Sequence, residues 1–483
     1  MAIFGVSCGF NDASLAVVSG EQILYASHAE RHSKVKFDKH LHPELVSEAL
    51  RYGEPNTIVY YEKPWSKLTR QLYAGQKLTA YNPLSETRKF FPKHDRILTV
   101  KHHEAHACAG YFTSPFRDAA VIVADAIGEW DTLTVWKATE RRLERVFHTK
   151  YPHSLGLLYS AFTQRCGLKP NEEEYIMMGM APFGRPDYVD DIRKELIAID
   201  KAPQFSLRQN VHIGIGDWMP EARIEDLAAS IQVVLEDYLY NLFDWTAYTI
   251  HSKNVVYMGG VALNCVANGK IAQKGIFDNW WIMPNPGDAG SSLGAALAHK
   301  RDFVEWTGPY LGTDIKRKLD TEAAVTALEE HKIIGVANGR AEFGPRALGN
   351  RSILADPRYV STKRLVNQIK KREQFRPFAA IVLEEKANEY FYMPFQAMPY
   401  MQFTVRCKLP REVPAICHVD CTSRIQTINR EQNPVIYDLL KKWYERTKCP
   451  LLLNTSLNIK GMPLVNTWED AEKFKWFHDI KIF

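Results

Sequence analysis

The chain has 483 residues, 46% of them hydrophobic, and a net charge of +5. That length allows two or three domains around a large core, and so mild a charge permits a polyanionic partner without requiring one. No apolar run approaches the ~18 residues that span a bilayer, so no membrane partner is expected. The opening MAIFGVSCGF reads as a strand rather than a leader. Eight scattered cysteines with no CxxC pair read as reduced thiols. Both point to the cytoplasm.

Taken in order, IFGVSCGFNDASLAVVSGEQILYAS reads as three strands joined by a polar turn at 10–14 and a Ser-Gly turn. Further on, AAVIVAD, NVVYMGG and WWIMPNPGD are apolar strands that run into glycine or acid turns and then helices. This alternation predicts an α/β fold with small polar residues at the carboxyl ends of strands, where such sheets place ligands. Residues 305–325 are polar and turn-rich and read as a linker, dividing the chain into domains at 1–310 and 326–483. The second begins with the helix AAVTALEEH and the strand IIGVANG and continues with AAIVLEE, MQFTVRCKL, RIQTI and PLLLN. No internal repeat is visible.

His102 and His106 lie four residues apart in KHHEAHACAG, on one helix face, so both imidazoles can reach one cation. Alone, that spacing also fits surface or core histidines. Two acids change its weight: Asp125 closes AAVIVAD, and Asp288 sits in PNPGDAG just before a helix. Two histidines and two aspartates without a thiolate suit iron, manganese or zinc with open positions rather than a closed structural zinc. Gly259 and Gly260 stand between a strand and a helix start, followed by Asn264, and Gly287 precedes Asp288. The two loops read either as tight turns or as a phosphate cradle that metal and nucleotide share.

In the second section, GRAEFGPRALGNRSILADPR sets Arg340, Arg346, Arg351 and Arg358 among glycines, an arrangement suited to gripping phosphate or carboxylate. Lys370, Arg372 and Arg376 follow in NQIKKREQFRPFAAI, where a solvated basic helix is the alternative. LLLNTSLNIKG ends a strand in Asn454, Thr455, Ser456 and Asn458, small polar groups able to orient a nucleotide or acyl group, or simply to shape a turn. Three such clusters in about 120 residues favour an anion-handling site.

Together these stretches resemble the O-carbamoyltransferase family that includes nodulation-factor and antibiotic-tailoring enzymes. The resemblance covers nearly the whole chain, from GFNDAS and AERHSKVKFD to LLLNTSLNIKG, and is most specific over GRAEFGPRALGNRSILADPR. It implies an N-terminal actin/hexokinase-like (ASKHA) domain followed by a YrdC-like α/β domain. The YrdC-like site would convert carbamoyl phosphate and ATP, with Mg2+, into carbamoyl-adenylate, and the metal-bearing domain would pass the carbamoyl group to a hydroxyl. By position, His102, His106, Asp125 and Asp288 match the family's metal ligands, with iron first and manganese or zinc as alternatives. Lys370 and Arg372 match its Lys-x-Arg element, and Ser456 and Asn458 its Ser-x-Asn element. Arg346, Asn350, Arg351, Ser352, His418 and Arg424 fall in stretches that line the same site, with Asn454 beside them, while Gly259, Gly260, Asn264 and Gly287 fall in the nucleotide loops of the first domain. Asp12 or His103 is placed to take the acceptor proton, Asp12 equally to cap a turn.

The chain departs from the family pattern at Asn11, Ala126, Ile176, Cys421 and Met462, where histidine, glycine, lysine, glycine and glutamate are usual. The reaction core survives these changes and the acceptor site is altered. Residues 60–95 interleave Tyr60, Tyr61, Trp65, Tyr73, Tyr81, Phe90 and Phe91 with Lys63, Lys67, Arg70, Lys77, Arg88, Lys89 and Lys93. This is either an amphipathic cap or a surface for a nucleic-acid strand. The acceptor is left open between a hydroxymethylated pyrimidine nucleotide in DNA and a sugar-like small molecule, and the oligomeric state is open, a homodimer included. A tRNA-modifying enzyme and a non-catalytic nucleotide sensor are the rival classes. Retention of metal ligands, Lys-x-Arg and Ser-x-Asn together argues against a sensor.

Overall fold

The computed structural model describes residues 1–9, 12–76, 83–94 and 96–483. Asn11, Lys77 and Tyr81, singled out above, lie outside them, as does the start of the turn at 10–14. Two units form. One comprises Met1–Ala29 and Phe37–Trp306, the other Glu30–Lys36 and Thr307–Phe483. The expected division is therefore corrected twice. Part of AERHSKVKFD belongs to the second unit, and the stretch read as a linker contains a paired strand, Tyr310–Ile315.

The first unit is built on two five-stranded sheets. The first holds β1 (Ala2–Ser7), β2 (Ser14–Ser19), β3 (Gln22–His28), β4 (Pro55–Tyr60) and β5 (Ile97–Thr99), in the order β3-β2-β1-β4-β5. The second holds β6 (Asp118–Ala124), β7 (Asp131–Thr139) and β8 (Arg142–Lys150). After a separate hairpin of β9 (Ile197–Lys201) and β10 (Gln204–Leu207) it is completed by β11 (Asn254–Met258) and β12 (Asn279–Trp281), in the order β12-β11-β6-β7-β8. In both sheets the earliest strand is central, its two successors form an antiparallel meander on one side, and two parallel strands follow on the other. The architecture is thus duplicated although the sequence shows no repeat. Burial of both faces of β6 and β11 explains why AAVIVA and NVVYM are continuously apolar rather than alternating.

Two helices, His102–Thr113 and Ser291–Lys300, join the sheets, and glycines bring their backbones into contact. A Cβ on Gly5 of β1 would lie 1.8 Å from the Ser292 carbonyl oxygen, and one on Gly294 would lie 2.0 Å from that of Ala105. On the far side, a Cβ on Gly110 would lie 2.6 Å from Met258 Cγ of β11. Sheet, helix, helix and sheet are stacked as closely as main chain allows, which is why AHACAG and SSLGAALA are rich in small residues.

The second unit adds β13 (Tyr310–Ile315), β14 (Ile333–Ala337), β15 (Gly339–Glu342), β16 (Arg351–Ala355), β17 (Ala379–Leu383), β18 (Thr404–Arg406), β19 (Thr422–Ile428) and β20 (Leu451–Ser456). β13 pairs with β15, and the other six form one mixed sheet in the order β14-β16-β20-β17-β19-β18. Helices Thr321–His331 and Pro434–Thr447 pack over a core that includes Trp443, Leu354, Ile381 and Leu452. The register sets Ser352 opposite Ser456, and Ala379 opposite both Asn454 and Arg424. Most of the polar residues singled out in this half therefore collect at one end of the sheet. No helix among the described residues is long and apolar enough to cross a membrane.

Gly294→Ala is expected to cost about 3 kcal/mol by over-packing two helix backbones, read as a lower denaturant midpoint. Because His102 and His106 ride on the displaced helix, cation affinity should fall with it. Unchanged stability would refute the close approach.

Candidate functional site

In the first unit four donors from three elements meet. His102 and His106 come from the first turns of His102–Thr113, Asp125 follows β6, and Asp288 opens the turn before Ser291–Lys300. The two Nε2 atoms are 3.1 Å apart. Asp125 Oδ2 lies 3.1 Å from that of His102 and 3.3 Å from that of His106. Asp288 Oδ1 lies 3.3 and 3.4 Å from the same two nitrogens. Ligands about 2.0–2.2 Å from one ion are separated by roughly 3 to 3.5 Å, so the spacing fits a single shared cation. Two imidazole nitrogens pointed at each other between two carboxylates make a donor set that a cation completes.

Electrostatics agree with this fit. Burial drives the His102 imidazole down, but Asp288, Asp125 and Glu62 together hold it well above the usual histidine range. His106 is raised against burial by Asp125 and Asp288. Burial likewise opposes ionisation of Asp125, and the two histidines nevertheless hold its carboxyl well below the usual range. The cluster therefore favours positive charge at its centre.

Supporting residues escaped the sequence reading. Ser291 Oγ lies 3.3 Å from His106 Nδ1, and Glu62, fully buried after β4, sets a carboxylate oxygen 3.7 Å from His102 Nδ1. Lys67 donates to both oxygens of Glu62. Glu129 accepts from the His102 amide at 3.1 Å and from the Lys63 amide at 2.7 Å, so its carboxylate caps the helix that carries the histidine pair. The available signal was an acid at a strand end, Glu62, and a second acid in the loop after Asp125, Glu129.

The glycine loops support the carboxylates of the candidate cation site. Gly259, at φ +92, lies where a Cβ would come 2.1 Å from the Ala124 carbonyl oxygen, and the Gly260 amide donates to Asp125 Oδ1 at 3.2 Å. Asn264, expected at the nucleotide, instead caps helix Cys265–Ala272 through Ala267 N and exchanges hydrogen bonds with Gln232. Gly287 is more open, with Leu263 Cδ1 at 4.0 Å as its nearest neighbour. Asp12 adopts φ +43 after β1, a conformation that aspartate tolerates in turns. His103 is a poor base: burial and the neighbouring His102 hold its imidazole well below the usual range, and Nδ1 meets Thr134 Oγ1 at 3.0 Å. Ile176 is buried in the core.

In the second unit, Lys370 Nζ reaches the Ser456 carbonyl (2.5 Å), Ser456 Oγ (3.1 Å), the Asn458 carbonyl (2.9 Å) and Asn458 Oδ1 (2.8 Å). Ser456 Oγ in turn donates to Asn458 Oδ1 at 2.6 Å. The Lys-x-Arg and Ser-x-Asn elements are thus one cluster. Arg372 lies with its guanidinium 4.2 Å from the centre of the Phe378 ring and donates to Asn367 Oδ1. Burial, then Arg372 and Arg376, push the Lys370 amine well below its usual range, and no carboxylate among its hydrogen-bond partners offsets this. Arg424 Nε is buried without a hydrogen-bond partner. His418 sits in a turn closed by its own amide on the Thr422 carbonyl; Cys421 there adopts φ +59, suited to the glycine usual at that position. Arg346 lies half-buried in the loop before β16.

Four residues expected to contact nucleotide make hydrogen bonds within the chain. The Arg351 guanidinium is engaged by the carbonyls of Thr313, Asn338, Gly339, Asn350 and Asn466, a clamp rather than a phosphate grip, and burial pushes it down to about 10. Asn350 bonds Arg340 O and Asn433 Nδ2, and Ser352 Oγ accepts from the Gly349 amide. Asn454 Nδ2 is held by Ala347 O and Gln426 Oε1, leaving its Oδ1 buried without a partner. Glu342 organises this loop by accepting from the amides of Leu348, Asn350 and Arg351. Arg31, 1% exposed, donates through Nη2 to the Gly344 carbonyl at 2.8 Å, while Nε and Nη1 make no hydrogen bond. Arg31 Nε lies 3.8 Å from Glu30 Oε1.

Three outcomes follow from this geometry. Glu62→Gln should weaken cation binding ~10–100-fold, and Asp125→Asn by more, in competition with a chromophoric chelator. Because His102 and His106 hold protons above the usual range, wild-type affinity should rise from about pH 6 to about pH 8 as the cation displaces them. Arg351→Ala should destabilise the second unit by about 3–5 kcal/mol, and lysine should not rescue it, since one ammonium cannot span five carbonyls.

The chain matches the family model for the carbamoyltransferase N-terminus over residues 56–297 and that for the carbamoyltransferase C-terminus over 325–482. It is 34% identical to an uncharacterised protein of Synechocystis sp., over 97% of this chain and 93% of that protein. Nodulation protein NolNO of Sinorhizobium fredii is 32% identical, over 95% and 76%. The 3'-hydroxymethylcephem-O-carbamoyltransferase of Amycolatopsis lactamdurans is 28% identical, over 95% and 94%. With both halves matched and relatives that span its length, the chain belongs to the O-carbamoyltransferase family and is a carbamoyltransferase.

Proposed function

We propose that this carbamoyltransferase is ATP-dependent and works in two steps, one in each unit. In the second unit, read as YrdC-like, carbamoyl phosphate loses phosphate to water. A carbamate oxygen then attacks the α-phosphorus of Mg2+-bound ATP and pyrophosphate leaves. In the first unit, read as actin/hexokinase-like, the acceptor oxygen attacks the carbamoyl carbon, the bond from that carbon to the adenylate oxygen breaks, AMP departs and the hydroxyl proton passes to a base. The duplicated sheet order supports the actin/hexokinase-like reading.

The observation that carries the proposal is the joining of buried Lys370 with half-buried Ser456 and Asn458 into one cluster. A lysine stripped of water beside two arginines is stabilised by an anion, and Arg424 and Arg31 offer further unengaged donors. A divalent cation (iron first, manganese or zinc as alternatives) held by His102, His106, Asp125 and Asp288 would supply positive charge to the phosphate of the departing AMP. Asp12 is the proposed proton acceptor. The hydroxyl belongs to a nucleotide, as in a hydroxymethylated pyrimidine of DNA, or to a sugar-like small molecule. A hydroxymethyl acceptor is supported by the name of the cephem-modifying relative.

Pyrophosphate release from ATP and carbamoyl phosphate, measured without acceptor, tests the reading. Lys370→Ala and Asn458→Ala should each lower it ~100-fold or more, with folding checked by thermal melting. His102→Ala should still release pyrophosphate but transfer no carbamoyl group. Release independent of carbamoyl phosphate would sink the proposal.

A further inference from the structure

A cleft of about 600 Å³ opens in the first unit beside the metal helix, within the roughly 300–1,000 Å³ usual for ligand sites. Its wall includes Glu129, which caps the helix bearing His102, and Lys101, the residue before that helix. The cleft is thus one residue from the candidate metal centre along the chain. We propose that it is the acceptor site and that its occupant is a nucleotide, bound by stacking and by phosphate charge. This rests on the carbamoyl-transfer reading above and names the substrate class of its second step.

The argument is one of charge and ring placement. Four cations line the cleft, Lys63, Lys101, Arg145 and Lys150, against two carboxylates, Glu129 and Asp131. Asp131 is matched by Arg145 at 2.9 Å, Glu129 is met by two amides, and Lys63 Nζ donates to the Thr99 carbonyl. Lys101 and Lys150 are exposed, and neither has a carboxylate within ion-pair distance among the described residues. Beside them Trp65 is 77% exposed, a large ring left in water, and the half-buried Trp130, packed on Tyr73, lines the same cleft. A neutral sugar also stacks on an indole but gains nothing from surplus cations, so the charge is what favours a nucleotide. A base on the indole with phosphate on the lysines uses both features. The helix Pro64–Tyr73 presents Trp65 here while Lys67 and Arg70 are buried beneath it, so the basic-aromatic stretch is a structural cap on one face and an open wall on the other.

Binding is measured with a single-stranded oligodeoxynucleotide carrying 5-hydroxymethylcytosine, with free 5-hydroxymethyl-dCMP, and with neutral N-acetylglucosamine. Trp65→Ala should weaken nucleotide binding ~10-fold. Lys150→Ala should flatten the salt dependence of strand binding by about 0.7 in log–log slope. Lys253→Glu, a charge change elsewhere on this unit, should leave affinity unchanged. Tighter binding of the strand than of the monophosphate identifies a polynucleotide acceptor, and equal binding identifies the free nucleotide; either supports the proposal. Nucleotide binding indifferent to both cleft substitutions, or carbamoylation of the neutral sugar in preference to either nucleotide, overturns it. A wild type that releases no pyrophosphate from ATP and carbamoyl phosphate defeats the transfer reading instead, so the two failures are distinguishable.

Discussion

The first unit depends on three places where glycine removes a side chain from between packed elements, two of them meeting main chain and the third the side chains of β11. Gly5 lets β1 meet Ser291–Lys300, Gly294 lets that helix meet His102–Thr113, and Gly110 lets the second helix meet β11. Close packing of this kind leaves little freedom for sliding or rotation. The helix with the histidine pair is therefore held between two sheets, and Glu129 fixes its first turn by accepting the His102 amide. Asp125 and Asp288 arrive from the strand and turn that the same stack positions. A four-donor cluster with 3.1 to 3.4 Å spacings is a product of that rigidity.

Charge is handled in opposite ways in the second unit. Arg351 is buried and saturated by carbonyls, which makes it a bolt between β13, the turn from β14 into β15, β16 and the loop at Asn466. Lys370, Arg424 and Arg31 are also buried, wholly or in part, yet keep donors unspent or lack a carboxylate. Burial of a cation without a carboxylate partner costs several kcal/mol, and an anion bound beside Lys370 would offset that cost. The same residue type thus serves architecture at one position and ligand at others, decided by which oxygens lie within reach.

Some of this was legible in the residues alone. His102 and His106 share a face because of helical periodicity, and Asp125 ends a strand whose apolar run is unmistakable; both are local patterns. The separate motifs at 370–372 and 456–458 were visible for the same reason. Glu62 and Glu129 were not, since nothing adjacent in sequence distinguishes an acid that caps a distant helix from one on the surface. Asn264 and Arg351 were expected at nucleotide from their loops and the family resemblance, and their hydrogen-bond partners at 32 and up to 115 positions away were not visible in the sequence.

The α/β class, the donor types of the histidine–aspartate set and the family follow from the residues alone, because these are written in short-range patterns of periodicity and motif. Folding in three dimensions was needed to show that one sheet order occurs twice, that residues 30–36 join the second unit, that the expected linker carries a strand, and which cations are spent on carbonyls. Those outcomes are set by pairings between residues far apart in the chain, and hydrogen-bond partners at such separations leave no local signature.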